Sequence, residues 1–165
     1  MIIKEILNRR SVRSYKKDPV PEEYIFEVIK AGLLAPSAHN NRAVEFIIIK
    51  DDKIKEKIFE IVGQEFVKEA PVLIIPLTQI QETNCPVEDL SVVSENIFLQ
   101  ATNLGLGTVW KAVRDGQEKE IKKLLQIPEN YTLINIIPIG WPKEKPQPYK
   151  EDEFFDLKKL HYEKW

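Results

Sequence analysis

The spacing of apolar residues along the chain predicts an alternation of helices and strands. Apolar side chains that recur every three or four residues indicate helices. They predict a short first helix around Ile2, Ile3, Ile6 and Leu7, one after Pro21 that stops before Pro36, and others over residues 53–66, about 89–104 and 118–125. Short apolar runs indicate buried strands. They predict strands over residues 45–50, 72–77, 108–113 and 132–139.

The order of these elements predicts the fold class. Helices separate the strands, but the chain opens with two helices before the first strand, an order that favours a mixed sheet covered by helices. The Gly-x-Gly at Gly105 and Gly107 follows a predicted helix and precedes a predicted strand. This order is the reverse of the dinucleotide-binding fingerprint, so the pattern argues against a Rossmann fold.

The segment after Gly140 is rich in proline and charge, which is typical of a tail. It nevertheless carries six apolar or aromatic side chains near its end: Phe154, Phe155, Leu157, Leu160, Tyr162 and Trp165. A disordered tail rarely contains so many apolar groups. We therefore expect residues 141–165 to pack against their own domain or against a partner subunit.

Composition narrows the range of functions. The chain has 165 residues, 43% of them hydrophobic and 30% charged, as expected for one globular domain over residues 1–165. Its net charge of −2 gives no general attraction to nucleic acid or to anionic lipid. The single cysteine, Cys85, cannot form an internal disulfide and favours a cytoplasmic location. The apolar runs are too short to span a bilayer.

Three arginines and a serine form a basic cluster near the start of the chain: Arg9, Arg10, Ser11 and Arg13. A guanidinium group binds phosphate through paired hydrogen bonds, and a serine hydroxyl adds another donor. The cluster is therefore a candidate phosphate clamp. A solvated basic turn explains the same residues, because charged runs usually lie at the surface. The residues alone leave both interpretations open.

A polar loop follows the second predicted helix, with the sequence Pro-Ser-Ala-His-Asn-Asn over residues 36–41. Loops between helices and strands often hold ligands, and these side chains can donate and accept hydrogen bonds. Proline, serine and asparagine also favour ordinary turns. The loop is thus a candidate binding element, with helix termination as the alternative.

No side chain stands out as a catalyst. His39 and His161 are the two histidines, and their spacing to other ligand types does not resemble a metal site. Cys85 has no basic neighbour, and the chain lacks a Gly-x-Ser-x-Gly elbow. We therefore expect neither a metal ion nor a protein nucleophile. The Trp110 side chain is expected to pack in the core or to line a pocket. The backbone after it can direct N–H groups at a ring nitrogen of a ligand.

Four segments carry a more specific signal through their order. They are Arg-Arg-Ser-Val-Arg-Ser-Tyr at 9–15, Ala-Pro-Ser-Ala-His-Asn at 35–40, Gly-Leu-Gly-Thr-Val-Trp at 105–110 and Gly-Trp-Pro-Lys-Glu-Lys-Pro at 140–146. Together they resemble the FMN-dependent nitroreductase family over nearly the whole chain. The resemblance implies an α+β fold, with a mixed, mainly antiparallel sheet between helices in three α/β/α layers. It also implies a homodimer whose C-terminal tails, residues 141–165, are exchanged.

The resemblance implies which residues bind FMN. The phosphate, ribityl chain and pyrimidine edge would be held by the basic cluster: Arg9, Arg10, Ser11 and Arg13. The flavin would be reached from the other subunit by the polar-loop residues Pro36, Ser37, Ala38 and Asn40. The flavin N5 side would be approached by the backbone near Trp110, Lys111 and Ala112. Where Tyr149 stands, the family usually has a basic residue that completes the clamp, and Lys150 is the expected replacement, with Lys145 as an alternative.

The expected function is accordingly that of an FMN-dependent oxidoreductase. By the resemblance, NAD(P)H would deliver a hydride to flavin N5, and a flat, electron-poor acceptor such as a nitroaromatic or quinone would then remove it in a ping-pong cycle. One alternative is a flavin-binding storage or sensor protein with little turnover. Another is an interaction domain without flavin, although the acidic net charge argues against an RNA partner.

Overall fold

The computed structural model describes residues 1–114, 116–150 and 153–165. Its helices are α1 (Lys4–Asn8), α2 (Glu22–Leu33), α3 (Asp52–Val62), α4 (Glu65–Glu69), α5 (Pro86–Asn103) and α6 (Gln117–Leu125). Its strands are β1 (Val44–Ile49), β2 (Val72–Gln79), β3 (Gly107–Thr108), β4 (Lys111–Ala112), β5 (Tyr131–Thr132) and β6 (Asn135–Gly140). Short 3-10 turns lie at Ala38–Asn40 and Leu157–Lys159.

The strands form one sheet with the order β1-β2-β6-β3, and neighbouring strands are antiparallel. β4 also pairs with β6, and β5 with β2. A parallel bridge joins Ser11 to Thr108 of β3. The sheet is therefore mixed and mainly antiparallel, as predicted.

Helices cover both faces of this sheet because its central strands are apolar on both sides. Leu73 of β2 belongs to an apolar cluster that includes Ile58 of α3 and residues of α6. The next residue, Ile74, belongs to a second cluster with Ile97 of α5 and residues of α2. Successive side chains of a strand point to opposite faces. This arrangement gives the three α/β/α layers that were predicted.

Several predicted elements are divided in the structure. The helix predicted over residues 53–66 ends at Val62, because Gly63 adopts a left-handed conformation with φ of 70°, and α4 then begins at Glu65. The strand predicted over 108–113 is interrupted by residues 109–110, and the strand predicted over 132–139 is interrupted by residues 133–134. The helix α5 starts at Pro86, three residues before the predicted position, since proline is well tolerated in a first turn.

Two glycines let the N-terminal segment lie close to the sheet. A Cβ atom at Gly107 would lie 2.7 Å from side-chain atoms of Val12, and one at Gly140 would lie 2.9 Å from the ring of Tyr15. The Val12 N–H donates to the carbonyl of Thr108 over 2.9 Å. The segment that carries the basic cluster is thereby held against β3 and β6.

The tail divides into two parts. Its first part contacts the N-terminal segment of the same chain, where the N–H of Lys143 donates to Ser14 O (3.1 Å) and that of Tyr149 to Leu7 O (3.0 Å). The apolar side chains of residues 153–165 are exposed, from 40% for Phe154 to 100% for Trp165. Packing of the tail on a partner subunit stays a prediction. Within the described ranges, no helix is long and apolar enough to cross a membrane.

Candidate functional site

Three residues of the basic cluster line one cavity. Arg10, Ser11 and Arg13 border a space of about 560 Å³, and Lys143 and Lys145 of the tail complete its basic lining. Glu144 is the acidic residue of this lining. Four cations therefore face one carboxylate, although the chain as a whole has a net charge of −2. The local charge suits an anionic ligand.

Arg10, which lines this cavity, has a hydrogen-bond donor without an acceptor. Its Nη1 atom is buried and has no hydrogen-bond partner in the described part of the chain. Among the described residues, Oε2 of Glu153 lies 3.9 Å from Nη1, which is beyond hydrogen-bond distance. A buried donor without an acceptor is costly, particularly when it carries charge. A phosphate group bound by Arg10 could supply the missing acceptor, and the four cations that line the cavity suit its charge, so the residues fit the phosphate that the sequence predicted.

The backbone beside this cavity is rigidly held. The buried hydroxyl of Tyr15 donates to the carbonyl of Val12 over 2.7 Å. Burial raises the pKa of Tyr15, so the hydroxyl remains a donor at neutral pH. Together with the bridge between Ser11 and Thr108, this bond fixes the segment from which Ser11 and Arg13 project.

Arg9 lies apart from the other members of the cluster. It lines a different cavity of about 350 Å³, with Ile6, Tyr149 and Phe154 among its neighbours. Adjacent residues of an extended backbone point to opposite sides, and Arg9 has the extended conformation. The structure therefore brings Arg10, Ser11 and Arg13 together and directs Arg9 elsewhere.

The strand residue Thr108 forms a bridge with Ser11 of the basic segment. This bridge lies just before Trp110, Lys111 and Ala112 in the chain. The Trp110 ring is partly exposed and contacts Phe98 of α5 edge-on, with centroids 6.3 Å apart. Lys111 is buried, and its Nζ donates to the carbonyl of Ala112 over 2.5 Å. Burial, assisted by the positive charge of Arg114, lowers the pKa of Lys111.

The polar loop is held in a strained conformation. His39, Asn40 and Arg42 have left-handed φ angles of 53°, 56° and 52°, which are uncommon for residues other than glycine. The N–H of Ala38 donates to Oδ1 of Asp89 over 2.8 Å. Strain of this kind persists only where surrounding contacts impose it, and it is concentrated at functional sites.

A single chain does not bring the polar loop and the basic cluster together. The loop binds Asp89 in the first turn of α5, whereas Arg10 shares a cavity of about 480 Å³ with Thr102 in the last turn. Thirteen residues separate these two positions of the helix, which is about 20 Å at 1.5 Å per residue. The predicted loop residues belong to the end of α5 opposite Arg10: Pro36, Ser37, Ala38 and Asn40.

Lys150 does not line either cavity that Arg10 lines, and its backbone N–H donates to the carboxylate of Glu153 over 3.2 Å. Lys145 lines both cavities. Tyr149, which stands where a basic residue was expected, places its ring 3.7 Å from the guanidinium carbon of Arg10. The alternative basic residue of the sequence analysis is thus the one near the site.

Two supporting residues escaped the sequence analysis. Asp89 accepts hydrogen bonds from Ala38, which is 51 positions away, and from the Thr83 hydroxyl. An acid in the first turn of a helix is an ordinary feature, so the sequence carried no signal for this contact. Tyr149 was noted only as a departure from a pattern, and its contact with Arg10 depends on how the tail folds back.

Comparison with known proteins identifies the family. The model of the Nitroreductase family matches residues 6–69 and 62–141. The chain belongs to this family. A nitroreductase-family protein from Methanothermobacter thermautotrophicus, provisionally named NADH dehydrogenase/NAD(P)H nitroreductase, is 36% identical over 170 residues, covering 99% of this chain and 87% of that protein. The FMN reductase (NAD(P)H) of Bacillus subtilis is 30% identical over 166 residues, covering 87% and 67%.

A solved structure confirms the predicted fold class. The FMN-dependent nitroreductase of Clostridium difficile R20291 superposes with a TM-score of 0.93 and 32% sequence identity. The match covers 99% of this nitroreductase-family chain and 100% of the other. The layers and strand order described above are therefore those of the family.

Proposed function

We propose that this protein is an FMN-dependent NAD(P)H oxidoreductase that acts as a homodimer in the cytoplasm. The observation that carries the proposal is Arg10, which lines a basic cavity and whose buried Nη1 has no hydrogen-bond partner among the described residues. The relatives named FMN reductase and FMN-dependent nitroreductase support the cofactor. The single Cys85 supports the location.

The phosphate, ribityl chain and pyrimidine edge of FMN would be held between them by Arg10, Ser11 and Arg13, with Arg10 at the phosphate. Lys145 is preferred to Lys150 as the added cation, because Lys145 lines the same cavity. Arg9 remains in the proposed set because its own cavity contains Tyr149, which stacks on Arg10. Each charge-assisted hydrogen bond to a phosphate oxygen is shorter and stronger than a neutral one.

When bound, FMN would supply the redox chemistry, which is hydride transfer between NAD(P)H and a flat, electron-poor acceptor such as a nitroaromatic or quinone. The protein's part is binding and polarity. The backbone near Trp110, Lys111 and Ala112 adjoins the basic segment and would face the ring. Positive charge from Arg13 would stabilise negative charge on the pyrimidine edge. Because donor and acceptor would use one place in turn, we propose ping-pong kinetics.

The separation of the two candidate binding elements supports a dimer. The polar loop binds Asp89 of α5, whereas Arg10 shares a cavity with Thr102, about 20 Å farther along the helix axis, so the loop and Arg10 lie at opposite ends of α5 within one chain. A second copy would bring Ser37, Ala38 and Asn40 to the flavin bound by Arg13. The exposed apolar side chains of α1 and of residues 153–165 would be covered in such a dimer. We propose that the tail packs there on the partner.

Flavin affinity tests the proposed clamp. Arg13→Ala should weaken FMN binding about 10-fold or more, the loss expected for a charge-assisted hydrogen bond of 1.5–3 kcal/mol. Lys17→Ala is the matched control, since it removes the same charge four positions away from a side chain outside this cavity. Titration of apoprotein with FMN measures both. Equal affinities of Arg13→Ala and the control would remove Arg13 from the site.

A heterodimer experiment tests whether the site is shared. One subunit carries Arg13→Ala and the other carries Asn40→Ala. If each site combines Arg13 of one chain with Asn40 of the other, the heterodimer contains one fully intact site and one doubly altered site. We expect one high-affinity FMN per heterodimer, whereas each altered homodimer binds FMN weakly. Weak binding at both sites of the heterodimer would contradict a shared site.

A flavin-binding protein with little turnover is the second candidate. The connection between β2 and α5 is only six residues long, so it supplies no helix to cover the proposed pocket. Steady-state oxidation of NAD(P)H in the presence of quinone distinguishes the two functions. Parallel lines in double-reciprocal plots support the enzyme. Full flavin occupancy with negligible turnover for every donor and acceptor pair supports storage or sensing.

A further inference from the structure

Tyr149 joins the tail to the basic cluster by two contacts. Its backbone N–H donates to the carbonyl of Leu7 over 3.0 Å. Its ring lies 3.7 Å from the guanidinium carbon of Arg10. Guanidinium groups are attracted to the faces of aromatic rings and stack on them. The tail therefore fixes the position of Tyr149, and Tyr149 in turn limits where the Arg10 side chain can go.

This contact restrains Arg10 without using its donors. The N–H groups of a guanidinium lie in its plane, whereas a ring at this distance covers its face. Nη1 is buried and still has no hydrogen-bond partner within residues 1–114, 116–150 and 153–165. A lysine or arginine in place of Tyr149 would add a charge but would also repel Arg10. The ring instead leaves the charge of Arg10 intact and takes up none of its hydrogen-bond donors.

We infer that Tyr149 is a positioning residue that orients Arg10 for the phosphate of the bound flavin. This inference rests on the proposed function and deepens it. It accounts for the tyrosine where the family usually has a basic residue, because a restrained Arg10 loses less side-chain freedom when it binds phosphate. Arginine has a long side chain with a large rotamer entropy, so the restraint increases affinity.

Paired titrations with FMN and riboflavin test the inference. Tyr149→Leu should weaken FMN binding about 10-fold, because an unrestrained Arg10 would lose more of its rotamer freedom when it binds phosphate. Its riboflavin affinity should stay unchanged, because riboflavin lacks the phosphate. Tyr149→Phe keeps the stacking ring and should restore FMN affinity to within about twofold. Tyr131→Leu is the matched control, because Tyr131 lies in β5, hydrogen-bonds to Glu45 and lines neither cavity that Arg10 lines.

A double-variant cycle separates positioning from general structure. In an Arg10→Ala background, Tyr149→Leu should cause no further loss of FMN affinity, because no guanidinium remains to be oriented. The inference is overturned if Tyr149→Leu retains the wild-type affinity, if it weakens FMN and riboflavin equally, or if the two changes are additive. A wild-type protein that binds no FMN would contradict the proposed function. An intact FMN affinity in Tyr149→Leu would contradict only the role of Tyr149, so the two failures are distinguishable.

Discussion

Replacing Asp89 by alanine tests how the strained polar loop is held. The Asp89 carboxylate is 4% exposed and lies in the first turn of α5. It accepts the N–H of Ala38 over 2.8 Å and the hydroxyl of Thr83 over 2.6 Å. Asp89→Ala removes both acceptors and leaves the Ala38 N–H without its partner.

The size of the effect follows from these two bonds. A hydrogen bond to a charged group contributes about 1.5–3 kcal/mol. Water can replace part of the lost bonding at Ala38, which is only partly buried. We therefore expect Asp89→Ala to lower the free energy of unfolding by about 3 kcal/mol. Asp89→Asn keeps one acceptor oxygen and should lower it by about half as much.

Urea denaturation measures the free energy, and amide hydrogen exchange at Ala38 reports on the loop itself. The exchange rate should rise in Asp89→Ala, and FMN affinity should fall because the loop conformation relaxes. Asp51→Ala is the control, since Asp51 accepts an N–H at the start of α3 far from the loop. That change should cost about 1 kcal/mol without altering FMN affinity. A loss below about 1 kcal/mol for Asp89→Ala, with Ala38 still protected, would refute the reasoning.

Two further substitutions follow from the packing. Gly107→Ala should lower the free energy of unfolding by about 2 kcal/mol, because its Cβ would lie 2.7 Å from side-chain atoms of Val12. Thermal denaturation measures this loss. Adding Val12→Ala to Gly107→Ala should restore part of it. Lys111→Met should raise the free energy of unfolding at neutral pH, because burial, assisted by the positive charge of Arg114, lowers the pKa of Lys111 and so disfavours its charged form in the folded state. Between that lowered pKa and the ordinary lysine value of about 10.4, the unfolded chain binds more protons, so wild-type stability should rise with pH and the advantage of Lys111→Met should shrink. A Lys111→Met effect that is independent of pH would contradict this assignment.

Periodic apolar spacing predicted most of the elements, and tertiary contacts determined their breaks. The apolar run of β2 predicted a buried strand. In the structure its side chains pack against a helical layer on each face of the sheet. The interruption at residues 109–110 has no local sequence signal, because β3 and β4 are defined by their separate pairings with β6. Gly63 was a recognisable helix terminator, yet the apolar pattern continued through it.

In the candidate site, too, some features were predictable from the sequence and others depend on tertiary contacts. Arg10, Ser11 and Arg13 are neighbours in the chain, and their shared cavity follows from that proximity. The polar loop was recognised by its residue types, but its anchor at Asp89 joins segments 51 positions apart. The stacking of Tyr149 on Arg10 depends on the path of the tail across the N-terminal segment. Contacts between segments that are far apart in the sequence could not be predicted without knowledge of the fold.

The visible absorption spectrum of the purified protein, recorded before and after denaturation, tests the central claim most directly. Oxidised flavin absorbs at about 370 and 450 nm, a property of the cofactor itself. If the protein binds FMN as proposed, both bands are present and denaturation releases one FMN for each chain. A colourless protein that also fails to bind added FMN is not an FMN-dependent oxidoreductase.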